Sequence, residues 1–170
     1  MKKLFFAALA VFAFANINAQ DTSFGLSAGY ISNSFDGGDS ASGFSVAAFA
    51  EIDLAESFSV QPELGYSNSS VDDATYNLFN VNALVKYNVT EELGILAGPQ
   101  IGFASGDIPD ALDELFGDDF SSMNLQLAIG ASYDITENIF VQARYGFQLN
   151  EHVDGIGAVN TINGGVGYRF

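Results

Sequence analysis

From residue 24 to residue 170 the chain alternates, apolar then small or polar, in eight segments of about ten residues: 24–32, 44–52, 58–67, 79–87, 93–103, 123–133, 139–150 and 161–170. Successive side chains of a strand point to opposite faces, so each segment carries one apolar and one polar face. In the fourth, Phe79, Val81, Ala83, Val85 and Tyr87 oppose Asn80, Asn82, Leu84 and Lys86. In the eighth, Ile162, Gly164, Val166, Tyr168 and Phe170 oppose Thr161, Asn163, Gly165, Gly167 and Arg169. About ten residues is also the length with which a tilted strand crosses a bilayer. Pro62 falls inside the third segment with no N–H to give a ladder, which predicts a bulge there.

The first residues read differently. Lys2 and Lys3 precede an apolar run from Leu4 to Ala15, and Asn16-Ile17-Asn18-Ala19 offers a small-residue cleavage site before Gln20. A short membrane anchor is the alternative, but the run falls short of the ~20 apolar residues a spanning helix needs. The expected division is a cleaved signal peptide over residues 1–19 and one barrel domain over residues 20–170. No later run is long and apolar enough for a spanning helix. An exported, aromatic- and glycine-rich membrane chain without such a helix leaves the closed β-barrel, because hydrocarbon tolerates no unpaired backbone group.

Once the leader is removed, the cations are Lys86, Arg144 and Arg169, against 21 Asp and Glu. No basic patch remains, which excludes nucleic acid as a partner. The absence of cysteine removes disulfides and thiolate metal or redox sites.

Alternation alone allows a barrel that is oily inside or oily outside; the scarce ions decide between them. All three cations, and the mid-strand carboxylates Glu51 and Glu63, lie on polar faces, while the apolar faces carry no charge. Aromatics gather at the ends of the apolar faces: Tyr30, Phe44, Tyr66 and Phe103 at one end, Phe58, Tyr87, Tyr133, Tyr168 and Phe170 at the other. Two aromatic girdles around a charge-free band mark a lipid-facing surface, at whose middle an Arg would cost ~2–4 kcal/mol. The fold class is therefore an all-β, eight-stranded antiparallel up-and-down transmembrane barrel.

Eight strands enclose a lumen just wide enough for side chains to fill. Glycines such as Gly25, Gly94, Gly130 and Gly167 crowd the polar faces and leave room for the few long residues. The heights of the ions along their strands predict a lumen charge network in two layers, with Glu63 near Arg144 and Glu51 near Lys86 or Arg169. Such a network reads as a gate or proton path, or as a structural plug of paired charges, since unpaired buried charge is costly.

Three connections are short and share a pattern: Ile52-Asp-Leu-Ala-Glu-Ser-Phe58, Tyr87-Asn-Val-Thr-Glu-Glu-Leu93 and Tyr133-Asp-Ile-Thr-Glu-Asn-Ile139. They predict tight polar hairpins. The other four, near residues 33–43, 67–75, 104–122 and 150–158, read as longer loops rich in Asp, Gly and Ser. Barrels of this kind carry their long loops outside the cell. In the third long loop Pro109, with Ile108, Leu112, Leu115 and Phe116 at helical spacing, predicts a short amphipathic helix over the barrel mouth. Its acidic residues do not match EF-hand spacing. That leaves loose contact with divalent cations, or a simply solvated acidic loop.

The final Phe170, with Tyr168 and Val166 at alternate positions before it and the eight segments upstream, resembles the OmpA/OmpX-type eight-stranded outer-membrane β-barrel family over residues 20–170. Gly164 stands where a larger apolar residue is common. The resemblance implies the outer membrane of a diderm bacterium, with its lipids and lipopolysaccharide as surroundings. It also implies that the outer-membrane assembly machinery reads Val166, Tyr168 and Phe170. The peptidoglycan-binding domain of the longer OmpA-type members is not expected.

Some barrels of this architecture are lipid-A acyl-modifying enzymes using a His with a Ser and a carboxylate. His152, beside Glu151 and Asp154, is the single histidine. No nucleophile motif accompanies it at the strand ends, and a lone loop histidine is expected to be solvated. The expectation is a non-enzymatic envelope protein with acidic loops and no catalytic residue, metal or cofactor. A narrow porin and a lipid-modifying enzyme are the alternatives.

Overall fold

The computed structural model describes residues 22–35, 40–150, 152–153 and 159–170; the expected signal peptide lies outside them. The alternating segments form β1 (Thr22–Phe35), β2 (Ser40–Ala55), β3 (Phe58–Val71), β4 (Ala74–Asn88), β5 (Leu93–Ser105), β6 (Met123–Asp134), β7 (Ile139–Gln148) and β8 (Val159–Arg169). Each pairs antiparallel with the next, and β8 returns to β1, closing the barrel. Closure pairs the strand backbones without leaving an edge, which hydrocarbon demands.

The apolar faces point outward. Leu26 is 54% exposed and Ile129 50%, whereas Glu63 is 1% and Lys86 3% exposed. Both aromatic girdles lie on the outer face, Tyr30, Phe44 and Tyr66 toward the long connections, Phe58, Tyr87, Tyr133, Tyr168 and Phe170 toward the short turns.

The wall is taller on one side. β1 to β4 run 14 to 16 residues, β6 to β8 only 10 to 12. The reason lies at residues 67–75, expected as a long loop. There Ser67, Ser69 and Val71 pair across to Leu78, Tyr76 and Ala74, and only Asp72 and Asp73 turn, with φ of 48° and 68°. Two left-handed residues make the hairpin turn whose twist matches its strands, and Asp is among the few non-glycine residues that adopt it readily.

The bulge expected at Pro62 is absent. The register between β2 and β3 is the same on both sides of it, from Phe49↔Glu63 to Ile52↔Val60, and the pairs between are unmade. Pro99 leaves a similar gap between Asn82↔Gln100 and Val85↔Ala97. A missing N–H removes a ladder bond but does not require an extra residue. The register shift falls instead between Asp53 and Ala55, beside the first short turn.

The shared pattern of the short turns has a physical cause. Thr90 Oγ1 accepts from the Glu92 and Leu93 amides at 3.2 and 3.0 Å. Thr136 Oγ1 accepts from Asn138 and Ile139 at 3.3 and 2.9 Å. The hydroxyl imitates a backbone acceptor and holds the turn. Ala55 replaces the threonine in the first turn, where the register shift occurs.

At the long-loop end, α1 (Asp107–Phe116) runs into a 3₁₀ turn, Gly117–Asp119. Asp107 accepts from the Thr75 amide and hydroxyl at 3.0 and 2.8 Å, tying the helix to the tall wall and holding its carboxyl below the usual carboxylate range. Ile108, Pro109 and Leu112 rest on the barrel mouth. Leu115, 75% exposed, and Phe116 do not: only the first two turns of the helix lie over the mouth.

The lipid-facing orientation has a direct mechanical consequence. Ile129→Arg is expected to lower the unfolding free energy in phospholipid vesicles by ~2–4 kcal/mol. Urea unfolding followed by tyrosine fluorescence or gel mobility measures it, and a change near zero would contradict the outward assignment.

Candidate functional site

The inward faces converge on a lumen with two ionic layers. Nearest the short turns, Glu51 of β2 binds Lys86 Nζ of β4 at 2.8 Å and Arg169 Nε of β8 at 3.1 Å. Arg169 Nη2 also reaches Asp134 of β6 at 2.9 Å. The guanidinium lies 4.5 Å from the centre of the Phe140 ring, which meets Phe49 edge-on at 5.5 Å. A cation over an aromatic face is attracted by the ring quadrupole, more strongly when both are withdrawn from water.

Further along the lumen, Arg144 Nη1 lies 2.6 Å from Glu63 Oε2. Asn82 donates to the same oxygen at 2.9 Å, and Gln61 to the other at 2.6 Å. Glu63 thus meets three donors, which a buried carboxylate needs. Leu84, Leu96 and Ala128 form a small apolar cluster among the inward-facing residues.

Long inward side chains stand opposite glycines. Phe49 pairs with Gly25, Phe140 with Gly167 and Arg144 with Gly130. A Cβ on Gly25 would run into the Phe49 ring, and one on Gly167 into the Phe140 ring, so neither position accepts a side chain unless its partner moves.

Beside the Arg144 layer lies a polar cavity of about 60 Å³, lined by Ser27, Ser45, Asn80, Gln100, Asn124 and Asn163 among others. Ser67 Oγ, Asn82 Oδ1, Gln142 Oε1 and Arg144 Nε also belong to its lining, without a hydrogen-bond partner among the described residues. The space suits a few ordered waters.

Toward the long loops, Tyr76, Leu78, Ala104 and Val159 form an apolar cluster with Phe35 and Ile108 against it. His152 belongs here, and it is not solvated as expected: it is 5% exposed. Its Nδ1–H donates to the Ser121 carbonyl at 2.6 Å, so the neutral ring accepts the Tyr76 hydroxyl at Nε2, 2.9 Å away. Phe120 stacks on the ring at 6.0 Å. Burial holds the imidazole below its ordinary 6.5, against the Ser121 contact, which raises it. Glu151 and Asp154, considered with it from the sequence, lie outside the described residues.

The expected ions therefore meet inside: Glu63 with Arg144, and Glu51 with both Lys86 and Arg169. Val166 and Tyr168 stand on the lipid face of β8, and Phe170, just past its end, is exposed with its ring against that of Tyr168. Two partners escaped the sequence reading. Asp134 lies on the inward parity of its strand with Asn124, Gln126 and Ser132, a signal that was present; the Tyr76–His152 contact, 76 residues apart, left none.

A closed antiparallel barrel with an oily outside, two aromatic girdles and an ion-paired polar interior is an integral membrane barrel. Residues 4–170 match the family model described as outer membrane protein beta-barrel domain, and the chain belongs to that family, whose place is the bacterial outer membrane. Among solved structures it is similar to Neisserial surface protein A (TM-score 0.57, 19% identity, covering 87% of this chain and 95% of that one). It is also similar to Ail, the attachment invasion locus protein of Yersinia pestis (0.54, 18%, 88% and 97%). The N-terminal β-barrel domain of Pseudomonas aeruginosa OprF is a third (0.52, 14%, 88% and 100%). At these identities the likeness shows the fold alone. No curated protein matches the sequence.

Two outcomes follow from the ion pair and the histidine. Glu63→Ala strands Arg144 in the lumen and is expected to cost ~3–5 kcal/mol in urea unfolding, whereas Glu63→Leu combined with Arg144→Met costs far less; equal losses would contradict the pairing. An opened His152 takes a proton near 6.5, the closed one only at lower pH. The closed contact is therefore fully stable above 6.5 and weakens as pH falls from there toward the lower value of the closed state. The Ser121 amide, which donates to the His152 carbonyl at 2.7 Å, reports this by hydrogen exchange. A protection factor unchanged from about pH 8 to about pH 5 would refute it.

Proposed function

We propose that this protein is a non-enzymatic, non-conducting barrel of the outer membrane that presents an acidic long-loop surface outside the cell. The observation that carries the reading is the filled lumen, crossed by Glu51–Lys86–Arg169–Asp134 and by Glu63–Arg144 and covered by the Tyr76 cluster. Pairing of every lumen cation among the described residues favours a structural plug over a gate. The single histidine is engaged with Tyr76 and with a backbone carbonyl, which argues against its acting as a general base.

Asp72 and Asp73 at the tall hairpin, and Asp110, Asp113, Glu114, Asp118 and Asp119 on and after the helix, make the described part of the long-loop end acidic. This surface suits loose contact with divalent cations, or a role in attachment such as the name of Ail, the attachment invasion locus protein, gives for that structural neighbour. Export through the leader at residues 1–19, lipopolysaccharide as a lipid neighbour, and reading of Val166, Tyr168 and Phe170 by the assembly machinery complete the proposal.

Refolded protein in a planar bilayer is expected to give no steady single-channel current. A reproducible open state would replace this reading with that of a narrow porin, for which the polar cavity beside Arg144 is the supporting feature. A glutamate-specific protease added to intact cells is expected to cut after Glu114 in the exposed helix. Cleavage only after the membrane is breached would reverse the orientation.

A further inference from the structure

The outer wall changes character just above the long-loop girdle. Two rows of outward residues, each directly paired from strand to strand, cross β1 to β4. The lower is Tyr30, Phe44, Asn68 and Asn77; the upper is Ser32, Ser42, Ser70 and Thr75. Ser34 and Ser40 continue the pattern above them. With strands ~4.8 Å apart, each row is about 14 Å wide.

The hydroxyls of the girdle point into these rows. Tyr30 donates to Ser42 at 2.8 Å, and Ser42 to Ser32 at 3.4 Å. Tyr66 donates to Asn77 at 3.3 Å, and Asn68 to the same oxygen at 2.6 Å. Tyrosine sits where hydrocarbon gives way to head groups, apolar ring below and hydroxyl above. The rows therefore begin at the top of the hydrocarbon and stand in the head-group layer.

Their chemistry is unusual for that layer because none of them is charged. A wall meeting lipid phosphates would carry Lys or Arg, the residues that pair with phosphate. Here Lys86, Arg144 and Arg169 are all held in the lumen, and the described charges nearest the rows are carboxylates, which repel anions: Asp107, bound to the Thr75 amide and hydroxyl, and Asp72 and Asp73 at the hairpin turn above. Apart from Thr75, whose hydroxyl is engaged with Asp107, what remains is a sheet of hydroxyl and amide groups that donate and accept, bordered by the exposed rings of Tyr30, Phe44 and Tyr66. That combination matches a sugar, which has hydroxyls on its rim and a C–H face that packs on aromatic rings.

We infer that the β1–β4 wall above Tyr30 and Tyr66 is a docking face for the uncharged saccharide of the outer-leaflet glycolipid, gripped by hydrogen bonds and not by ion pairs. This deepens the reading above, since it takes the long-loop end to face the outer leaflet. The face is continuous with the lipid-contacting band, so the glycolipid head group is the occupant that membrane insertion itself brings to it. The tall side of the barrel gives that head group a wall to lie against.

The test uses the protein refolded into three kinds of vesicle: phospholipid alone, phospholipid with complete lipopolysaccharide, and phospholipid with lipid A lacking the core saccharide. Complete lipopolysaccharide is expected to raise the folded-to-unfolded ratio about tenfold, the shift linked to a ligand at about ten times its dissociation constant. The gain persists in EDTA and high salt, lipid A alone does not produce it, and S32A/S42A/S70A abolishes it when each protein is compared with its own stability in phospholipid. An equal gain from lipid A, or one removed by EDTA, would overturn the inference in favour of phosphates bridged by divalent ions to the acidic loops. No gain from any glycolipid would also overturn it. The wild-type arms decide the matter even where the triple variant fails to fold. Both leaflets of the vesicles carry the glycolipid, so the outcome is independent of orientation, which the protease experiment reads separately.

Discussion

A strand buried in hydrocarbon must give every backbone N–H and C=O a partner within the sheet, and the rest of this structure follows from that demand. It forces β8 back onto β1, and closing eight strands fixes a lumen no wider than side chains can fill. A lumen that narrow takes a long inward residue only where a small one stands beside it. Hence Phe49, Phe140 and Arg144 each stand opposite a glycine, Gly25, Gly167 and Gly130. The glycine content of the chain is in this sense the complement of its few large inward residues.

The same confinement explains the company the ions keep. Far from bulk water, a carboxylate is tolerable only when several donors surround it. Glu63 has Arg144, Asn82 and Gln61, and Glu51 has Lys86, Arg169 and Ser59. These clusters occupy space that a conducting pore would leave open, and so they bear on function through the volume they fill. The surface left to meet other molecules is the outer wall and the long-loop end, where α1 covers the mouth and is tied down through Asp107 and Thr75.

Much of this was legible because alternation is a local property. Parity alone divides Lys86 from Val85 and Arg144 from Tyr145, and the lack of charge on one parity identifies which side meets lipid. Height along a strand was enough to bring Glu63 toward Arg144. Features that depend on how two distant strands meet were hidden. Pro62 signalled a lost hydrogen bond, but whether the strand answers with a gap or an added residue is set by its neighbours; the added residue went to Asp53–Ala55. Asp72-Asp73 lacks the glycine that usually announces a two-residue turn, so its polar flanks read as loop although they are strand. His152 looked solvated because nothing near it in sequence indicates Tyr76, Phe120 or Ser121, which fold over it from elsewhere.

The ionic layer near the short turns draws Glu51 from β2, Lys86 from β4, Asp134 from β6 and Arg169 from β8, so all four contributors are brought together only once the two edges of the sheet have joined. Hairpins such as β4–β5 and β6–β7, held by Thr90 and Thr136, can form from neighbouring residues alone, whereas the seam between β1 and β8 is the most distant contact in the chain. A half-built sheet accordingly holds Glu51 and Lys86 with no Arg169 between Glu51 and Asp134. The layer then acts as a latch that engages at the end of assembly, rewarding a completed cylinder and giving nothing to an open one.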